Sequence, residues 1–486
     1  MVVMRLKRSW GSVLLAVALL GVAGTTTAWG RAALPSGVYP AQHLTEPAGT
    51  TDVGDHRIYL PLVQNIRFLP KLPSVFGVQL YGTINEERTA LNQMREARVY
   101  WTRWPVSWAG IEPANTTPEH FSWGIDASVW NAYSMGAEMI MTIHNNPDWA
   151  ATYANGPIDL ADLSEFAQFM GALAERYDGD GYLDAPLSPV VEYFEMYNEP
   201  DAGVELRAQS GYGYWGPFGD QYAQMLCAVY PAVKAANPDA QVLLGGIAYD
   251  NFLDGFGGGL FVREFLGDVL TAGGGNCFDI ANFHYYPAFE ANWAPYGPGL
   301  SGKASYLRAN YGLAGKPMAV TEAGWHSDDY SIWPSSQTVQ ARYVIKLFTQ
   351  AMSSDLIGLT WWTWTDPPAG YGPYGLLDTD LQPKLSYHAY QDAAERLGKA
   401  TFVASVNLGD AVVQAYRFVS PESRPLYVLW SDDETWRPVS LPFDQGQIID
   451  MYGTVLATVY DSDDGHTDGA ITVSAGADPR YVESVQ

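Results

Sequence analysis

Two glutamates stand where apolar runs break off. Val190-Val-Glu-Tyr-Phe-Glu-Met-Tyr197, rich in β-branched and aromatic residues, reads as a strand and leads into Asn198-Glu199-Pro200-Asp201. Pro200 has no N–H to give to a ladder, so the strand ends there and Glu199 sits at its C-terminal tip. Pro317-Met-Ala-Val-Thr-Glu322-Ala-Gly-Trp325 repeats the pattern, an apolar strand running into an acid and a turn. Two strand-tip carboxylates are the equipment of glycoside hydrolysis, in which one carboxyl protonates the departing oxygen and the other attacks or activates water.

The elements that must position this pair follow from the alternation of apolar runs with amphipathic segments. Strands are expected over 75–80, 98–104, 138–144, 190–198, 241–246, 278–284, 318–322 and 358–364, with helices over 86–97, 162–177, 222–236, 260–270, 337–352 and 387–397. In 162–177 the residues Leu163, Phe166, Ala167, Met170, Leu173, Ala174 and Tyr177 recur at steps of three and four. Eight strands with helices between them predict a (β/α)8 TIM barrel over residues 71–397, with its active site at the C-terminal ends of the strands. The alternative, an open doubly wound sheet, wants a glycine-rich phosphate loop after its first strand, and Gly77 and Gly82 do not make one. Short alternating runs at 412–418, 426–430 and 470–473, separated by turn residues, predict a small all-β sandwich over 398–486, read as packing on the barrel rather than binding sugar.

Arg5, Lys7 and Arg8, an apolar run over 13–23 and the small residues of 24–28 have the three regions of a secretory signal, so residues 1–28 are expected to be a signal peptide and 29–70 a linker. The apolar run falls short of the roughly 20 residues that span a bilayer, which disfavours an uncleaved membrane anchor. A secreted protein with no stable membrane insertion is the expectation. The formal net charge of −26 would repel phosphates, so nucleic acid is excluded as a partner and neutral ones fit better. The 17 Trp and 31 Tyr supply ring faces suited to stacking on sugars, although filling the core is the simpler use. Cys227 and Cys277 are too few for a disulfide scaffold and are left open as a pair.

Reading only the strand tips collects Arg103, His144, Asn198, Glu199, His284, Tyr286, Glu322 and Trp362. A barrel sets strands four and seven nearly opposite each other, so Glu199 and Glu322 are expected to face one another at the separation of about 5–5.5 Å found in retaining glycosidases. This set resembles the one shared by retaining glycosidases of glycoside hydrolase clan A. Arg103-Trp-Pro-Val-Ser-Trp108, Asn198-Glu-Pro200, His284-Tyr-Tyr286, Thr321-Glu-Ala-Gly-Trp325 and Trp361-Trp-Thr-Trp-Thr-Asp366 are most similar to family 5, and Glu195-Met-Tyr-Asn-Glu-Pro200 also resembles family 39.

The resemblance implies that Glu199 is the acid/base and Glu322 the nucleophile. Arg103 and Tyr286 would keep Glu322 ionised, while the charge of Glu322 and an aromatic surround would keep Glu199 protonated. A structural ion pair of Arg103 with Glu195 is the plainer alternative. Asn198 is expected to hold the sugar 2-hydroxyl, His144 and His284 to contact hydroxyls or orient the carboxylates, and Trp362 to form a platform, with Trp364 as its stand-in. The segments 202–219, 287–299 and 367–375 are expected to wall the cleft. No cofactor is expected. A metal site is disfavoured because no His-x-His or Glu-x-x-His pair occurs and two glutamates already suffice for hydrolysis. The expected activity is hydrolysis of β-linked oligo- or polysaccharides, with a transglycosylase or a non-catalytic carbohydrate-binding protein as alternatives. Loss of one glutamate would have favoured the last.

Overall fold

A computed structural model of the protein describes residues 74–81, 88–203, 214–250, 261–329, 333–367 and 371–485. The expected signal peptide and linker lie outside the described residues. Among the described residues no helix is long and apolar enough to cross a membrane.

Eight parallel strands are built as expected: β1 (Phe76–Gln79), β2 (Trp101–Ser107), β3 (Glu138–His144), β4 (Tyr193–Met196), β5 (Gln241–Leu243), β6 (Ala281–Tyr285), β7 (Met318–Ala323) and β8 (Gly358–Trp361). They run in the order β5-β4-β3-β2-β1-β8-β7-β6, and the bridges Leu243–Ile280 and Ile247–Phe283 join β5 to β6. The result is a (β/α)8 barrel. Its outer layer holds α1 (Arg88–Glu96), α2 (Asp126–Ser134), α3 (Leu163–Arg176), α4 (Gly219–Ala236), α5 (Phe265–Thr271), α6 (Gly299–Asn310), α7 (Gln337–Ser353) and α8 (Leu385–Arg396). In α3 the Asp162 carboxylate caps the Ser164 N–H at 2.9 Å, and Phe166, Phe169, Met170, Leu173 and Ala174 form the buried face.

Two strand limits move for a local reason. Arg98 takes φ +57° while its N–H and that of Val99 bond back into α1, so residues 98–100 end the helix and β2 starts at Trp101. The strand leading to Glu199 stops at Met196 rather than Asn198, because Tyr197 (φ +62°) and Glu199 (φ +46°) occupy the left-handed region that side chains ordinarily avoid. Helices α2 and α6 were not expected. Gly299 and Gly302 interrupt the pattern of α6, and a Cβ on Gly302 would meet the Trp293 carbonyl at 2.5 Å, so close packing on the preceding turn demands the glycine.

Inward-facing side chains fill the barrel in layers. Trp101, Ile140, Leu243, Ile280 and Ala319 plug its floor, and β1 makes room for Trp101 with Gly77, where a Cβ would lie 2.6 Å from that of the tryptophan. The next layer up is polar: Gln79, Arg103, Thr142, Glu195, Asn282 and Thr321, all buried. Strict alternation would turn Glu322 outward. It does not, because β7 carries one extra residue. Phe283 pairs with Val320 but His284 pairs with Glu322, and the register against β8 slips at the same place. This β-bulge lets Thr321 and Glu322 both reach the interior.

Residues Thr401–Ser405 to Arg480–Ser484 form a six-stranded antiparallel sheet and a two-stranded ribbon. The ribbon, Arg437–Leu441 with Ile471–Ala475, covers one face of the sheet, so the expected sandwich has a narrow second layer. Along Pro425–Ser431 the faces alternate: Tyr427 and Leu429 pack under the ribbon, whereas Leu426, Val428 and Trp430 join the barrel's core. Arg342 of α7 donates to Asp478 at 2.6 Å, Arg396 of α8 lies over the Tyr481 ring, and Lys346 lies over Trp430, which also stacks on Tyr416. Cys227 in α4 and Cys277 ahead of β6 form a disulfide.

Because sheet and barrel share one core, they are expected to unfold in a single transition. Trp430→Ala should cost about 3–5 kcal/mol and lower the midpoint of that one transition. Urea denaturation followed by circular dichroism and tryptophan fluorescence checks this, and two separated transitions in the wild type would contradict it.

Candidate active site

The site is assembled around Arg103, which rises from the middle of β2 and is 2% exposed. All five of its N–H groups are used. Nε and Nη2 donate to the two oxygens of Glu195 (2.7 and 3.1 Å), Nη2 also to Asn198 Oδ1 (2.6 Å), and Nη1 to Gln79 Oε1 (2.8 Å) and Glu322 Oε2 (3.2 Å). The sequence left Arg103 between a partner of Glu322 and a partner of Glu195. It is both.

Glu195 is completed by Thr142 (2.6 Å), Asn282 (2.8 Å), Thr321 (2.8 Å) and the Gly246 N–H (3.2 Å). Four residues before Glu199 and deeper in the barrel, it is fully bound up with protein groups.

Glu322, at the tip of β7, is fully buried and accepts from Arg103 and from the Tyr286 hydroxyl at 2.7 Å. Burial pushes its carboxyl up to about 7, against the opposing pull of Arg103 and Tyr286. Glu199 has a different environment. Its Oε1 lies 3.0 Å from His284 Nδ1 and its Oε2 has no hydrogen-bonding partner. Burial, then the charges of Glu322 and Asp201, raise its pKa well above the usual carboxylate range, with Arg103 and Lys303 opposing. One oxygen of Glu199, one of Glu322 and a ring nitrogen of His284 lie within 4.8 Å of one another. Such a group has donors for a cation, but Arg103 already brings a positive charge to Glu322.

The other expected residues fall as follows. Asn198, beside Glu199, gives its Oδ1 to Arg103 and leaves a buried Nδ2 without a partner. His284 bonds Glu199 and, through Nε2, Thr321 Oγ1 at 3.2 Å. His144 stands at the tip of β3 on the inward side by alternation with Ile140 and Thr142. Its imidazole is half-buried, and burial with the nearby Arg103 charge pushes its pKa down to about 4. Trp362 packs against Tyr374 and Tyr286, and its Nε1 donates to the Tyr81 hydroxyl at 2.7 Å.

Trp364 is no stand-in for Trp362: the ladder of β8 ends at Trp361, and Trp364 turns into the helix layer against Tyr387. Parts of two expected cleft walls, 204–213 and 368–370, lie outside the described residues.

Gln79, Thr142, Asn282 and Thr321 were not singled out from sequence, although a signal existed, since Thr142 and Asn282 precede the expected tip residues His144 and His284 by two positions on the same face. Tyr81 and Asp201 gave none. Asp201 accepts the N–H groups of Ala248 and Tyr249 at 3.1 and 2.8 Å and so ties the tip of β4 to the loop after β5.

Known proteins agree with this architecture. Among solved structures the chain is similar to a family 39 glycoside hydrolase from the gut symbiont Bacteroides cellulosilyticus WH2, at 21% identity and TM-score 0.64, over 85% of this chain and 81% of that one. It is also similar in fold to a GH30 endoxylanase from Clostridium papyrosolvens C71 (14%, TM-score 0.57, 85% and 96%) and to a GH39 β-xylosidase from Caulobacter crescentus (16%, TM-score 0.53, 85% and 96%). No curated protein matches the chain. The family model for cellulase, glycosyl hydrolase family 5, matches residues 69–367. With the barrel and the two-glutamate mouth it encloses, the chain belongs to the cellulase family, glycosyl hydrolase family 5, and is a glycoside hydrolase.

Proposed function

We propose that this glycoside hydrolase is a retaining O-glycosidase that cleaves β-linked oligo- or polysaccharides by double displacement. The observation that carries the reading is the unequal setting of two carboxylates that bring an oxygen of each within 4.8 Å of the other. That spacing suits direct attack by one of them better than the roughly 6.5–9.5 Å that leaves room for an interposed water.

Glu322, gripped by a guanidinium and a phenol hydroxyl, takes the nucleophile's role. Glu199 takes the acid/base role, since it lacks a cationic hydrogen-bond partner and is the member of the pair that burial and neighbouring negative charge keep protonated. In the first step Glu322 attacks the anomeric carbon, the glycosidic C–O bond breaks, and the proton of Glu199 passes to the departing oxygen. In the second step the Glu199 carboxylate takes a proton from water as that water displaces Glu322, which restores both groups. The unpartnered Asn198 Nδ2 is a donor that suits a sugar 2-hydroxyl, and the unpartnered Oε2 leaves the Glu199 carboxyl open to the glycosidic oxygen. His144, with an imidazole held neutral and half-open, suits contact with a further hydroxyl.

Export follows from residues 1–28 and is in keeping with the Cys227–Cys277 disulfide, which favours an oxidising compartment. An acidic protein of this kind suits a neutral glycan better than a polyanionic one.

Glu322→Ala is expected to abolish turnover, with azide restoring it as a glycosyl azide of inverted configuration; full activity in the variant would sink the assignment. Glu199→Ala is expected to slow glycosides with poor leaving groups about 10²–10⁴-fold and activated aryl glycosides far less. Equal losses on both would remove its acid role. In the wild type, kcat/KM should fall on the acid side as Glu322 gains a proton around pH 7 and on the basic side as Glu199 loses its own. A pH–rate profile checks this, and an acid limb unmoved by changes around Glu322 would contradict it.

A further inference from the structure

The hydrogen bonds beneath the two glutamates determine where the proton of His284 lies. The Thr321 backbone N–H donates to Asn282 Oδ1 at 3.1 Å, which fixes the orientation of that amide. Asn282 Nδ2 therefore faces Thr321 Oγ1 and Glu195 Oε1, each at 2.8 Å, and both of its hydrogens are spent. Glu195 accepts from two N–H groups of Arg103, the Gly246 N–H, Asn282 Nδ2 and the Thr142 hydroxyl, and so stands among donors as an acceptor. Thr321 Oγ1 and Glu195 Oε1 are 2.8 Å apart, a distance two oxygens hold only with a hydrogen between them, and the hydroxyl is the group that has one. Asn282 Oδ1, at 3.1 Å, is a longer and uncharged competitor for it. With its proton given to Glu195, Thr321 Oγ1 can only accept from His284 Nε2 at 3.2 Å.

We propose that Thr321 is a positioning residue that locks His284 in its Nε2–H tautomer, so that Nδ1 presents a lone pair rather than a proton to Glu199. The inference rests on the acid/base reading of Glu199. A neutral imidazole carries one hydrogen, and burial together with the charges of Arg103 and Lys303 keeps this one neutral. The 3.0 Å contact between Nδ1 and Glu199 Oε1 then needs the carboxylic acid as donor. The same lock withholds a hydrogen bond from the Glu199 carboxylate after it has given up its proton, which makes it the stronger base for the second step. Glycine at position 246 lets the ring lie there, since a Cβ would fall 2.1 Å from Nε2.

The charges that face Glu199 are Glu322 from β7 and Asp201 just past its own strand, which raise its pKa, and Arg103 from β2 and Lys303 from α6, which lower it. Glu322 Oε2 also stands 3.9 Å from His284 Nδ1. None of these changes when the Thr321 hydroxyl is removed. Thr321→Val therefore frees the Nδ1–H tautomer to donate to the Glu199 carboxylate, which lowers that pKa and moves the basic limb of kcat/KM to lower pH by about one unit. Thr321→Ser, which keeps the hydroxyl, should leave the limb where the wild type has it.

The probe is a phenyl β-glucoside or β-xyloside, whichever is turned over, because its leaving group needs the proton. A basic limb in Thr321→Val at the wild-type position overturns the inference, as does a shift of the same size in Thr321→Ser. The wild-type protein gives a test that needs no variant to fold. In ¹⁵N-histidine-labelled enzyme, with His284 assigned by its loss in His284→Asn, Nε2 should be the protonated nitrogen and Nδ1 the bare one; the reverse overturns the lock. A steeper leaving-group dependence in Glu199→Ala than in the wild type separates the two levels. If Glu199 behaves as the acid and the tautomer is Nδ1–H, only the lock fails; if Glu199 does not, the acid/base reading fails with it.

Discussion

The interior of this barrel is organised by the need to bury one guanidinium. Taking a charge out of water costs several kcal/mol even after relaxation, and an arginine leaves five donors to satisfy. Here Gln79, Glu195, Asn198 and Glu322 share them. Glu195 receives two of the five and so takes most of the neutralising role. That division has a consequence at the mouth. Glu322 faces a cation whose charge is already largely matched, through a single N–H at 3.2 Å, and burial can outweigh it. In the double displacement proposed for this site, a carboxylate held so lightly remains free to leave its cation for carbon.

The polar layer also explains how one floor supports both carboxylates. Glu195 is reached from Thr142 on β3, Asn282 on β6 and Thr321 on β7, so a single buried anion ties four strands together below the site. Such a network is high-stakes, because each member left unpaired would cost the full desolvation of its group. The rigidity it confers passes upward through Arg103 to Glu322 and through His284 to Glu199. The disulfide from α4 to the start of β6 and the tie of Asp201 to the loop after β5 fasten the same sector from outside.

Much of this was legible in the chain. Apolar runs of strand length ending in Glu199, His284 and Glu322 located the tips, and helical periodicity located the layer around them. The polar middle layer was less legible, because Thr142, Asn282 and Gln79 look like ordinary strand residues until their neighbours across the barrel are known. The helix holding Lys303 was hidden by its own glycines, whose role is close contact rather than periodicity. Nothing in the sequence announces that Trp364 turns away from Trp362 while Tyr81 reaches toward it, since both depend on how the chain leaves the ladder after Trp361.

The extra residue in β7 carries a further meaning. A strand buried on both faces can slide by one position and still find hydrophobic partners, and a barrel closed in such a frame would be compact and wrong. With Thr321 and Glu322 both inward, the slipped frame would turn at least one of these polar groups toward the apolar helix layer and leave Arg103 short of a partner. The penalty for a buried unpaired charge is large enough to reject that arrangement. The bulge is thus a proofreading mark: the groups it turns into the polar layer of the site are the same ones that tell a correctly closed barrel from a mis-registered one.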